Sequence, residues 1–338
     1  MKIGAATAVI ACREFLSIYE SATPTGRARL LDASAERGPS AWRRRVPVSE
    51  SFQFLHHTDH PVASAIDLLL CPPCTEDGVL VREPCCVHCA AAGRDPSVGF
   101  DGRHFVRCPH GLRLHTSVHD PVRDALVRLL DHALGRARVI AERPADQRAI
   151  REWMEHHGVG LRHRPDIVLV GFDGPRSYVL IDVKTFDPAG VTWITRRHTD
   201  TVRLAAHAWL ESTFAPAQYF GPGASGAPRG DGPGPRLRLL TFAVSIYGAL
   251  GRQAQELLRA VATRCGRSVP YSLLDEASWA APSFAPFARM AITLAVRRAL
   301  AMAVCESLVT RETAARFSPP EAPQDEEGSG FDMPGEDE

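Results

Sequence analysis

The sequence predicts an α/β protein with a mixed sheet. Three observations carry that expectation: a helix-spaced run near residue 120, three short strand-like runs after it, and a second helix-spaced run that leads into a fourth strand. The order helix, strand, strand, strand, helix, strand shows no internal repeat, and the 338 residues with 45% hydrophobic content suffice for one large or two modest domains.

Residues 1–70 contain amphipathic helix-like pieces and a turn-rich stretch, and no chemistry is assigned to them. From Cys71 to Cys108 the composition turns to Cys, Gly, Pro and His, which reads as a loop-rich knuckle over 71–115. In HDPVRDALVRLLDHALGR, Asp120 reads as an N-cap and Pro121 as the first helical residue. Val122, Ala125, Leu126, Leu129, Leu130, Ala133 and Leu134 form the apolar stripe, and Gly135 closes the helix. ARVIAE (137–142), IVLV (167–170) and YVLIDVKTF (178–186) read as strands, with FDGPRS as the turn between the last two. Residues 200–213 return to helical spacing, the Gly/Pro-rich 221–236 reads as a flexible insert, and LRLLTFAVSI (237–246) as the fourth strand. These make a core over 116–250. Two helices, one over QAQELLRAVATRC and one through 284–307, fill 251–317, and 318–338 is an acidic tail that reads as disordered.

Charge and chain ends narrow the class. The net charge of zero hides a tail with eight acidic residues and no basic one, which leaves residues 1–317 with all 39 basic residues against 31 acidic ones. A body at +8 suits a polyanion, and equally a moderately basic soluble surface. No signal-peptide layout opens the chain, and the longest apolar stretch is cut by Arg289, Arg297 and Arg298, so the expectation is an intracellular protein with no membrane partner.

The most informative residue is a lysine. Of 39 basic residues only Lys2 and Lys184 are not arginine. Strand alternation puts Tyr178, Leu180, Asp182 and Lys184 on one face and Val179, Ile181 and Val183 on the other, so a carboxylate and an amine stand beside a core. Asp166 opens the preceding strand after Pro165, and the hairpin can bring it across from Asp182. Two carboxylates hold Mg²⁺ without filling its octahedron, leaving room for water and a phosphate oxygen. An amine positions or deprotonates water and shifts its pKa on partial burial, whereas a guanidinium stays charged. Glu142, at the end of the first strand, reads as a solvated strand end, with an extra metal ligand as the alternative.

Nine cysteines, six of them between Cys71 and Cys108, point to metal rather than disulfides in an intracellular chain. Cys86-x2-Cys89-x14-His104-x3-Cys108 fits one tetrahedral Zn²⁺. Cys71-x2-Cys74 paired with Cys86-x2-Cys89 is a competing ribbon-like set. His110, His115 and His119 read as a polar basic loop before the helix.

Pro165-Asp166, followed sixteen residues on by Asp182-Val183-Lys184, resembles the PD-(D/E)xK nuclease superfamily, and the element order agrees with a restriction-endonuclease-like core (helix, three strands, helix, strand). A zinc knuckle followed by HTSVHDPVRDAL and then by these strands resembles the C-terminal region of non-LTR retroelement reverse transcriptases that carry a restriction-like endonuclease. The likeness covers most of 27–308, with specific motifs only in 86–184. The chain departs from that family in having no reverse transcriptase segment, as a stand-alone unit or a fragment would. Many relatives also read DVT where this chain reads DVK.

The resemblance implies a Mg²⁺-dependent DNA endonuclease that nicks DNA in a nuclear retroelement setting. Asp166 and Asp182 would hold the metal and Lys184 would handle the water. The knuckle with His119, Arg123, Arg196 and Arg197 would grip phosphates of DNA, with RNA left open. The alternative is a nucleic-acid-binding module without catalysis. A third, an interaction protein working through its tail and C-terminal helices, has no motif behind it.

Overall fold

The computed structural model describes residues 20–21, 74–76, 79–81, 85–97, 104, 108, 114–143, 147–187, 210–211, 219, 236–266, 268–269, 283–309 and 316. The expectations for 1–70, the helix over 200–213, the insert 221–236 and the acidic tail therefore fall almost wholly outside the described residues.

Those residues form an α/β body around a mixed four-stranded sheet. A small N-terminal unit comes first. β1 (Cys74–Glu76) and β2 (Val79–Val81) form an antiparallel pair, and β3 (Cys85–Cys86) runs into the short helix α1 (Val87–Ala91). Then come α2 (Leu114–Leu134), β4 (Val139–Ala141), α3 (Ala149–His156), β5 (Ile167–Val170), β6 (Ser177–Phe186) and β7 (Arg236–Ser245). The chain continues through α4 (Arg252–Arg264), α5 (Phe284–Ser307) and β8 (Leu308–Val309).

The main sheet has the order β4-β5-β6-β7. The β4/β5 and β5/β6 pairs are antiparallel and β6/β7 is parallel, which makes the sheet mixed as expected. Antiparallel neighbours accept a tight connection, and β5 reaches β6 through the turn in which Gly171 and Gly174 take φ of 68° and 126°. A parallel pair needs a long crossover, and the 49 residues between Phe186 and Arg236 supply it.

Alternation along β6 sorts the two faces. Val179, Ile181 and Val183 join Ile167, Leu169, Phe242 and Val244 in the main core beneath α2, α4 and α5. Leu180 and Val168 face the other way, onto Trp153 of α3, with Tyr178 packed alongside. Helices thus cover both faces, as the buried, β-branched character of the strands requires. Helix α3 was not foreseen, because AIREWMEH is short and fully buries only Ile150 and Trp153, with Met154 packed partly against the core.

The start of α2 corrects the expected N-cap. The helix begins at Leu114, runs through Asp120 and holds Pro121 inside it. An internal proline forfeits the bond to the carbonyl four residues back, yet the extra turn survives because Val118, one turn before Val122, is 1% exposed in the same core. His115 accordingly lies in a helix rather than a loop, and Asp120 spends its carboxylate on Arg123 and His119 instead of a cap. The C-terminal end is as expected: Gly135 takes φ of 88° and its N–H bonds the Asp131 carbonyl at 2.9 Å.

In α5, Arg297 is fully buried and donates to the Tyr247 carbonyl at 2.8 Å. No helix among the described residues is long and apolar enough to cross a membrane.

Candidate functional site

Two constellations emerge, one of thiolate and imidazole ligands and one of carboxylates with a lysine.

The first lies where β3 turns into α1. Cys86 ends the strand, Cys89 sits in the helical turn that follows, and His104 and Cys108 return to meet them. Their four ligand atoms lie within 4.8 Å of one another, the one such His/Cys/Asp/Glu group among the described residues. Cys86 Sγ and Cys89 Sγ each stand 3.6 Å from Cys108 Sγ, and Cys89 Sγ is 3.3 Å from His104 Nε2. Zinc–sulfur bonds of ~2.3 Å at tetrahedral angles put sulfurs about 3.8 Å apart, so the cluster could bind zinc with little adjustment. Burial, with Cys108 and Cys86 alongside, pushes the Cys89 thiol up to about 12, and burial likewise raises Cys86. Gathered thiols resist ionisation on their own and accept it once a cation shares the charge. The competing pair is not assembled here: Cys71 lies outside the described residues, and Cys74 enters β1, whose side chains are not described.

The second constellation grows from register. Ile167 pairs with Ile181, and one step further Asp166 stands across from Asp182. Cβ atoms so placed are about 5 Å apart. Asp166 is anchored twice, by its N–H to the Ile181 carbonyl at 3.0 Å and by Oδ2, which accepts the Val183 N–H at 2.7 Å. Asp182 is 1% exposed; its Oδ1 meets Lys184 Nζ at 3.1 Å and the hydroxyl of Tyr219 at 3.2 Å. Its Oδ2 is buried with no hydrogen-bond partner. Burial raises the Asp182 pKa and the Asp166 charge adds to that, while Lys184 and Tyr219 oppose it. An orphaned, desolvated carboxylate oxygen is costly unless a cation or proton comes to it.

His119 projects from α2 to the same place, Nε2 at 3.5 Å from Asp166 Oδ2 and Nδ1 at 3.0 Å from Asp120 Oδ1. Burial alone would lower its pKa, but the bonds and charges of Asp166 and then Asp120 outweigh that and push it up to about 9. Arg123, one turn on, is held by Asp120 at 3.1 Å and Asp124 at 2.9 Å. Arg196 and Arg197 lie outside the described residues. Glu142 is not a solvated strand end: it pairs with Arg164 at 2.5 Å, and its Oε1 is shielded from water.

Tyr219 escaped sequence reasoning. The sequence around it shows no periodicity, and only its position reveals it: 1% exposed, with its hydroxyl between Asp182 and the Arg164 carbonyl at 3.1 Å and its own carbonyl 3.3 Å from the Arg162 N–H. Burial and the two carboxylates push its pKa far up, so it stays a donor.

No protein-family model, curated protein or solved structure matches the chain.

Proposed function

We propose that the chain is a Mg²⁺-dependent endonuclease of the PD-(D/E)xK, restriction-like type, akin to those at the C-terminal end of non-LTR retroelement reverse transcriptases, and that it nicks DNA. The observation that carries this reading is the meeting of Asp166, Asp182 and Lys184 at one end of the β5/β6 pair, with Asp182 Oδ2 buried and unpartnered. On this reading α2, β4, β5, β6 and β7 make up the family's core and the knuckle is its structural zinc module. The protein then works inside the cell, in the nucleus.

Asp166 and Asp182 would hold Mg²⁺, which supplies charge against the phosphate oxygens as they become more negative. Lys184 sits beside Asp182 with 15% of its side chain exposed, where its Nζ would face a bound phosphodiester. It would orient the attacking water, whose proton passes to solvent. The new bond runs from water oxygen to phosphorus, and the bond from phosphorus to the leaving sugar oxygen breaks, with that oxygen taking up a proton. Tyr219 fixes Asp182 by its hydroxyl, and the Val183 N–H fixes Asp166.

A second reading, a nucleic-acid-binding module without catalysis, draws support from the 3.1 Å Lys184–Asp182 pair, which offsets both charges with no metal. Supercoiled plasmid incubated with Mg²⁺ separates the two. The endonuclease nicks, and Lys184→Ala abolishes nicking while binding persists. Equal nicking by both proteins, or by neither, removes the catalytic reading.

A further inference from the structure

A cleft of about 270 Å³ opens onto Asp166, and none of the Cys/His cluster's residues line it. Arg123, Arg162, His163 and Arg164 line it, and Glu142 and Asp166 share the wall. Its size falls below the ~300–1,000 Å³ of sites that enclose a small molecule, which favours one unit of a longer chain passing through. Three guanidinium groups around an opening onto Asp166 favour that unit being anionic.

The loop that carries two of these arginines is held from several sides. The Arg162 N–H bonds the Tyr219 carbonyl, the Arg164 carbonyl takes the Tyr219 hydroxyl, and Pro165 is buried. His163 adds an edge-to-face ring contact with Tyr219, centroids 5.3 Å apart. Residues 162–164 therefore lead from solvent directly to Asp166 on a fixed backbone, although all three side chains are exposed. Among the described residues the Arg162 guanidinium has no hydrogen-bond or ion-pair partner. Arg164 pairs with Glu142 through one nitrogen and keeps 49% of its side chain in solvent. A fixed loop that ends in a metal-site carboxylate and displays an uncommitted guanidinium is a site prepared for an anion.

We propose that this cleft seats the sugar-phosphate backbone of a nucleic-acid strand, with Arg162 and Arg164 each contacting a phosphate and Tyr219 holding their loop in register with Asp182. This deepens the endonuclease reading and rests on it for the role of the neighbouring carboxylates. The contacts are to backbone, so they strengthen binding to any sequence alike.

The experiment is a salt titration of binding by the 338-residue chain without added Mg²⁺, with labelled duplex DNA, single-stranded DNA and RNA of one sequence. Each lost phosphate contact reduces the slope of log K against log salt by about 0.9 for duplex and about 0.7 for single strands. Arg162→Gln is expected to remove one such step and the double variant Arg162→Gln/Arg164→Gln two. Arg259→Gln, at an exposed position of α4, should leave the slope at its wild-type value. Because the Arg162 side chain holds none of the described residues in place, its single variant remains informative if the double variant fails to fold. A wild-type slope in Arg162→Gln overturns the proposal, as does a wild-type protein that binds none of the three. Slope losses in a protein that never nicks plasmid uphold the cleft and sink catalysis. Lys184-dependent nicking with unchanged slopes sinks the cleft alone.

Discussion

At Asp182 two kinds of environment meet, a core that excludes water and a site that needs charge. Tyr219 bridges them, and removing only its hydroxyl isolates that function. Tyr219→Phe keeps the buried ring, so the fold should persist. Plasmid nicking should nonetheless fall roughly 10-fold, the cost of about 1.4 kcal/mol when one hydrogen bond that places a ligand is lost. An unchanged rate would reduce Tyr219 to packing. His119 carries a pH signature in the metal-free protein. Its folded pKa, about 9, lies above the ordinary value of 6.5, so its stabilising contribution is complete below that ordinary value and is lost as pH rises through about 9. Denaturant unfolding in chelator should thus show His119→Gln less stable than wild type near neutrality, with the gap closing in alkali. A gap independent of pH would dismiss the ion pair with Asp166. Of these residues, Asp166, Asp182 and Lys184 were legible because strand alternation is a strict code and a lone lysine among arginines is conspicuous. Tyr219 and the Arg162–Arg164 loop were not, because tertiary position rather than any local pattern gives them meaning.

Among elements, the four strands of the main sheet and the two C-terminal helices could be read to within a residue or two, since uninterrupted β-branched runs and helical spacing leave few alternatives. The start of α2 could not, because a proline after an aspartate mimics a helix start, and only the burial of Val118 shows that the chain was already helical. Helix α3 was hidden by its shortness. The junction between β7 and α4 depends on one residue: Gly248 takes φ of 88°, and a Cβ there would stand 2.7 Å from Thr293 Cγ2 on α5. Gly248→Ala combines backbone strain with overpacking and should cost about 2–5 kcal/mol. Gly135→Ala has the same φ but open space around it, and should cost only the strain, about 1–2 kcal/mol. Equal losses in denaturant unfolding would show that α5 yields freely at Thr293.

For the molecule as a whole, the Cys/His cluster is also a mechanical joint. Cys85 and Cys86 pair with Val309 and Leu308, and Ser307 Oγ lies 3.3 Å from His88 Nε2, so the ligand-bearing turn is bound to the end of α5. Metal analysis should find one zinc per chain, and Cys108→Ser should lose it. Stripping zinc should lower the melting temperature of the whole α/β body, where a free-standing knuckle would leave it unaffected. That the knuckle would grip the far end of the chain was not legible, since two-residue strands carry no sequence signal.

The β3–β8 pairing also sets a timetable. Its partners are 222 residues apart in sequence, from Cys86 to Leu308, and closing so long a loop costs about 5 kcal/mol in chain entropy. A ladder of two residues is too weak to offset that by itself, so it can form only after α2 and α5 have packed and brought the ends together. On the ribosome, the four residues of the Cys/His cluster emerge long before Leu308 does. The cluster can therefore gather early while the seam to α5 stays open until synthesis has passed Val309, and a stall before that point leaves a knuckle with nothing to clasp.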